Sequence, residues 1–177
     1  MMYQQDLKKI LVICADTYTR YIPKNDRTSR PIFSDGAAVA LLENKGNGSI
    51  GPFSFFTDGS GGELLALENH EEKEKLFMDG KEVFKFSFRE VPIVFNQLLK
   101  KANLQQEEID LFVFHQASAV ILRQLKAKLK IPDDKWFQNI KNIGNTVSAT
   151  IPIALKQTME NGLYKPNMNI MLMGFGV

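Results

Sequence analysis

Only one of the 177 residues, Cys14, is a cysteine. An internal disulfide is therefore impossible, a multi-cysteine zinc site is excluded, and a lone thiol suits a reducing compartment. Charge of one sign is equally scarce: 22 Lys and Arg against 20 Asp and Glu leave a net charge of +2. That is too little to make nucleic acid or an anionic membrane the main partner. The lysines are dispersed, and no basic run is interleaved with aromatics as in single-strand binders. Long hydrophobic runs are missing too. The N-terminal MMYQQDLKKI leads into LVICA, which is too short for a signal-peptide core or a membrane span. These absences predict a cytoplasmic protein with no metal, no nucleic acid and no membrane among its partners.

What is present is the composition of an ordinary globular chain, 44% hydrophobic and 24% charged. The length suits one domain, or one large half of a bigger fold, with a sizeable core. Ile10 to Ala15 read as a buried strand, with Cys14 in its middle as a buried structural thiol. Residues 16–31 read as a loop or short helix with turns, and Asp35-Gly36 is a turn signal before the apolar AAVALLE. NKGNGSIGP is a glycine-rich turn, and SIGPFSFFTD is a further strand candidate. GSGGELLAL lacks the spacing of a phosphate-binding loop and reads as a flexible loop entering a short helix. ENHEEKEK reads as a solvated charge run that leaves His70 on the surface.

From residue 80 the pattern becomes regular. The spacing of Val83, Phe84, Phe88, Val91, Phe95, Leu98 and Leu99 predicts an amphipathic helix over 80–103, with Pro92 as a point of kinking. A strand follows over 107–114, then a helix with Ser118 as N-cap that Ile131-Pro132 closes. KWFQNI predicts a strand, SATIPIALKQTMENG a third helix with a glycine stop, and MNIMLMGFGV a last strand. Helix and strand in alternation imply βαβ crossovers and an α/β fold, its sheet mixed and mostly parallel, covered by helices. Ligands gather beyond the carboxyl ends of such strands. Three strands end in suggestive residues there: His115, Gly144-Asn145 and Gly174-Phe175-Gly176. Each has a plain structural reading as well. A strand-end histidine can be a satisfied buried group, and an Asn in a Gly-Asn-Thr turn can be a turn residue.

FHQAS, followed about thirty residues later by NIGNTVSATIPIAL, resembles the His and Asn motifs of β-ketoacyl-acyl-carrier-protein synthase III, in the thiolase superfamily. DRTSRPIFSDGAAVALLE, TDGSGGELL, MDGKEVFKFS and LMGFGV fall in the same family order. The resemblance implies the C-terminal half of a thiolase-like fold. Residues 1–50 would be the tail of the family's N-terminal half, with two strands, and residues 51–177 the C-terminal domain without its last strand. It further implies a decarboxylative condensation of acyl-CoA with malonyl-acyl carrier protein in fatty-acid-type biosynthesis, without a cofactor, the coenzyme A thioester being substrate.

His115 and Asn145 would be the catalytic pair that hydrogen-bonds the malonyl thioester oxygen. Arg27, Phe84, Gln116, Ala117 and Ser118 would contact coenzyme A or the carrier, although a solvated loop charge is an equal reading of Arg27. The resemblance departs in three places. No residue here replaces the family's nucleophilic cysteine, so this chain alone would be inactive. His-Gln-Ala-Ser stands for the usual His-Gln-Ala-Asn, and Val120 stands where an arginine contacts the carrier, leaving Lys85, Arg123 and Lys126 as the positive charges nearby. The alternative is a non-catalytic half that binds a carrier protein or pairs with a cysteine-bearing chain. A branch making specialised acyl chains is also compatible, and apolar surface left by a missing half implies a homo-oligomer.

Overall fold

The computed structural model describes residues 7–46, 48–70 and 73–176. Eleven regular elements are named here. A ribbon of two antiparallel strands, β1 (Lys9–Asp16) and β2 (Gly36–Glu43), comes first, followed by a second antiparallel pair, β3 (Leu65–His70) and β4 (Lys73–Met78). The helical layers are α1 (Gly80–Ala102), α2 (Ala119–Leu129), α3 (Ile140–Ile143) and α4 (Thr150–Glu160). Between them lie β5 (Leu111–Phe114), β6 (Trp136–Phe137) and β7 (Ile170–Met173), a parallel sheet in the order β6-β5-β7. The expected α/β alternation after residue 80 is thus what the chain adopts.

β5, with sequence LFVF, is buried at every position because helices cover both faces of its sheet. Phe112 and Phe114 pack with Val91 and Phe95 of α1 and Leu122 and Leu125 of α2. Leu111 and Val113 face the other way, onto Ala154 and Ile151 of α4. Aromatic rings fix the first layer: Phe95 lies 5.9 Å from Phe112 and 6.5 Å from Phe114, and Trp136 lies 4.8 Å from Phe114.

α1 begins on Asp79, whose Oδ1 accepts from the Lys81 and Glu82 amides, both at 3.1 Å. It runs unbroken through Pro92 to Asn103, whose left-handed backbone caps it. Proline removes the amide that would bond to the carbonyl four residues earlier, here Phe88. Lys128 of α2 supplies the replacement: its Nζ donates to Phe88 O at 2.7 Å and sits 3.9 Å from the centre of the Phe88 ring. The proline therefore marks a tether between two helices.

Four sequence expectations need correction. SIGPFSFFTD forms no strand. Pro52 lacks a ladder donor, and the segment is held instead by Lys101 Nζ donating to Phe53 O at 2.7 Å and by stacking of Phe53 on Phe55. GSGGELLAL is a 3-10 turn (Gly59–Leu64) running into β3, and the charge run that follows helps form the β3–β4 hairpin. Each strand there has an apolar stretch and a polar stretch, and the register puts like with like, Leu65 beside Met78 and Glu68 beside Lys75; the side chain of His70 lies outside the described residues. KWFQNI is strand only at Trp136–Phe137, because Asn139 starts α3. Finally, β1 is not buried. It packs on the 147–149 turn, and its partner β2 packs on α4, while Leu11 and Ile13 remain 58% and 65% exposed and Cys14 is half-buried. A ribbon of two strands has a second face, and no described residue covers it. No described helix is long and apolar enough to cross a membrane.

The tether through Lys128 is testable. Lys128→Met should lower the free energy of unfolding by about 0.5–1.5 kcal/mol, measured by urea denaturation. In a Pro92→Ala background, where an amide returns to Phe88 O, the same substitution should cost less.

Candidate active site

β5 ends in His115 because its four buried residues exhaust the sheet. The next backbone amide, His115 N, donates to Met173 O at 2.8 Å and keeps the ladder with β7 for one more step. The chain then turns sharply, with Ala117 N donating to His115 O at 2.9 Å, and Ser118 starts α2 by accepting from Ile121 N at 3.2 Å. The Ser118 hydroxyl is thus the expected N-cap. The imidazole sits edge-on to Phe175, with ring centres 5.4 Å apart, and its Nδ1 lies 2.6 Å from Thr150 Oγ1. Burial lowers its pKa from 6.5 to about 4, so the ring is neutral at physiological pH.

Asn145 is placed by a separate device. It follows α3 and joins Phe33 in a parallel bridge: Asn145 N donates to Ile32 O at 2.9 Å, and Ser34 N donates to Asn145 O at 2.8 Å. Gly144 makes that approach feasible. Its φ is +82°, and a Cβ there would lie 2.2 Å from Ser34 Oγ. The side chain of Asn145 is 6% exposed and spans the turn on both sides. Its Nδ2 donates to Ala117 O at 3.2 Å, and its Oδ1 accepts from Val147 N at 2.9 Å. Nδ2 has two protons, so one remains for a ligand. Val147 takes a positive φ of 53°, a strained conformation for a β-branched residue.

His115 and Asn145 line one cavity of about 720 Å³. Phe84, Ala117 and Ser118 line it as well, as do the apolar Ile32, Phe33 and Leu65. The expected pair and three of the expected contact residues therefore come together, though Asn145 follows a short helix and does not end β6 directly. Two expected contacts do not join them. Arg27 is exposed on the loop before Phe33 and lies outside the cavity wall.

Gln116 is 1% exposed and turned away, so its side chain is not a ligand contact. Its Nε2 donates to Phe114 O at 2.8 Å, while its Oε1 accepts from Asn139 N and Ile140 N at 2.9 and 3.2 Å. It staples the end of β5 to the start of α3, and so holds the His115 turn against the segment that carries Asn145. Cys14 lies on β1, outside the cavity wall. Of the three cations noted in the sequence, Lys85 pairs with Glu82 and Lys126 with Asp133, while Arg123 is exposed on α2. Sequence reasoning missed Thr150 as a neighbour of His115, and it singled out the Gly174-Phe175-Gly176 strand end without giving Phe175 a role. Phe175 was signalled by the glycines on either side of it, and Thr150 by its place at the start of a helix.

A parallel sheet whose central strand delivers a neutral imidazole to an apolar cavity, beside a fixed carboxamide, makes this an α/β protein with a site for a ligand that accepts hydrogen bonds. Comparison with known proteins narrows the class. The family model for the 3-oxoacyl-[acyl-carrier-protein] synthase III C terminal matches residues 99–177, and that for 3-oxoacyl-[acyl-carrier-protein] synthase III matches residues 1–59. The β-ketoacyl-[acyl-carrier-protein] synthase III of Porphyra umbilicalis is 36% identical over 95% of this chain and 56% of its own length. That of Listeria monocytogenes is 35% identical over 96% of this chain and 54% of its own. Among solved structures, a 3-oxoacyl-(acyl-carrier-protein) synthase III superposes with a TM-score of 0.90 at 35% identity, covering 99% of this chain and 59% of that one. The Thermus thermophilus enzyme gives 0.89 at 31% identity, covering 99% and 57%. The chain belongs to the 3-oxoacyl-acyl-carrier-protein synthase III family, a family of ketoacyl synthases, and spans about half the length of the curated relatives it matches.

Burial of His115 links the site to stability. Between pH 6.5 and about 4 the unfolded chain binds a proton at this residue that the folded chain does not. Stability is therefore fully present above pH 6.5 and falls as pH drops through that window, by up to about 3 kcal/mol at this one group. Urea unfolding of wild type and His115→Gln across that pH range should show a steeper acid loss for the wild type.

Proposed function

We propose that this chain forms the condensing half of a 3-oxoacyl-acyl-carrier-protein synthase, which joins an acyl group from acyl-CoA to malonyl-acyl carrier protein with loss of CO2. The observation that carries the reading is the joint placement of His115 and Asn145 on one apolar cavity, with a free N–H left on the carboxamide.

Malonyl thioester enters with its carbonyl oxygen toward these two groups. Cleavage of the carbon–carboxylate bond releases CO2 and leaves its electron pair as an enolate, whose oxygen His115 and Asn145 stabilise as hydrogen-bond donors. The enolate carbon attacks an acyl thioester held on a cysteine, and the thiolate departs as the new carbon–carbon bond closes. A neutral imidazole and a carboxamide suit this task because each offers an N–H with no full charge to desolvate. Phe84, Ala117 and Ser118 are the wall along which a pantetheine arm would lie. No metal or organic cofactor has a part in these steps, and coenzyme A enters as a thioester substrate. Exposed Arg123 and the lip at Val120 offer a landing for an acidic carrier.

The cysteine of this scheme lies outside the chain. Cys14 sits on an edge ribbon away from the cavity, and by itself the chain is inactive in condensation. A second reading, a half that pairs with a cysteine-bearing partner, draws on the uncovered ribbon face, where Leu11, Ile13, Val39 and Leu41 are each more than half exposed. In the absence of a partner this face favours homo-oligomers.

Paired with a cysteine-bearing half of a relative, the chain should release CO2 from malonyl-acyl carrier protein. His115→Ala and Asn145→Ala should each lower that rate by about 10²–10³-fold; unchanged release in both variants overturns the reading. Sedimentation of the chain alone should show species larger than a monomer, and Ile13→Lys with Val39→Lys should return them to monomer.

A further inference from the structure

An imidazole can donate into the cavity only when its proton is on the nitrogen that faces the cavity. In His115 one nitrogen is engaged and the other is open. Nδ1 lies 2.6 Å from Thr150 Oγ1, and this is the one hydrogen bond of the ring among the described residues. Nothing else holding the ring distinguishes the two nitrogens. The backbone bond to Met173 and the edge-on contact with Phe175 are satisfied by either tautomer.

Thr150 Oγ1 also lies 2.9 Å from Val147 O, and a hydroxyl has one proton for these two acceptors. Two observations decide between them. Val147 O already accepts the backbone N–H of Thr150, so the carbonyl keeps a partner when the hydroxyl turns away. The 2.6 Å contact is shorter than the usual 2.7–3.2 Å of an N–H donor to oxygen and falls where O–H donors are found.

We propose that Thr150 is a positioning residue for His115: its hydroxyl proton is donated to Nδ1, which fixes the ring proton on Nε2, toward the cavity. Thr150 is 2% exposed, so bulk water does not take its place. Burial keeps the ring neutral, which leaves the tautomer as the property to be set. The consequence for a thioester oxygen rests on the function proposed above; the position of the proton does not.

The test is long-range proton–nitrogen NMR of the whole chain labelled with ¹⁵N-histidine, at neutral pH, with His70→Gln used to assign the two rings. Wild type and Thr150→Ser should show His115 as the Nε2–H tautomer. Thr150→Val should show averaged or Nδ1–H signals while its backbone amide spectrum stays native. A wild-type ring in the Nδ1–H form overturns the proposal, as does a pure Nε2–H ring in folded Thr150→Val. Should the valine variant unfold, Thr150→Ala takes its place, and the wild-type spectrum retains the power to refute. The readout needs no substrate and is therefore separate from the fate of the proposed reaction.

Discussion

Burial of β5 on both faces is the constraint on which the rest depends. A strand with the sequence LFVF has no polar side to give to water, so α1 and α2 must cover one face and α4 the other. Once both layers are in place, the strand can end only at the rim of the sheet, and its next residue is His115. The imidazole is thereby held at the edge of a dry core, near enough to be desolvated and far enough out to meet a cavity. Its neutrality follows from this position, with no charged neighbour needed to explain it.

The two catalytic candidates reach the cavity by different means, and Gln116 reconciles them. His115 is fixed by the sheet, through β5 and β7. Asn145 is fixed by a bridge to Phe33, which belongs to the N-terminal segment. A buried amide that bonds three backbone groups at once, from Phe114, Asn139 and Ile140, leaves little freedom between the strand end and the short helix. Hydrogen bonding of this kind sets position without touching a ligand.

Much of this was legible in the sequence where the signal is local. The period of α1, the Ser118 cap and the apolar β5 all follow from residues close together in the chain, and the His and Asn motifs were found by their order. The failures share a cause. The exposed face of β1 looks buried in sequence because its side chains are apolar, and their cover is not a property of the ribbon. The β3–β4 hairpin was hidden by the charges of its polar stretch. Gln116 and Thr150 act on partners 23 to 35 residues away, and nothing in their immediate neighbours foretells which carbonyl or nitrogen they will meet. Of the expected sites, Arg27 lies outside the cavity wall, and a loop charge carries no record of where the loop goes.

The bridge between Phe33 and Asn145 has a mechanical consequence. Ser34, whose amide holds the Asn145 carbonyl, is two residues from Gly36, the first residue of β2. Gly36 in turn lies so close to Thr146 that an added Cβ would sit 2.7 Å from its Cγ2. The ribbon and the carboxamide are thus joined through two close contacts, the Ser34–Asn145 backbone bond and Gly36 against the Thr146 side chain. A body resting on the apolar face of the ribbon would therefore press on chain that is tied, within two residues of β2, to the backbone of Asn145.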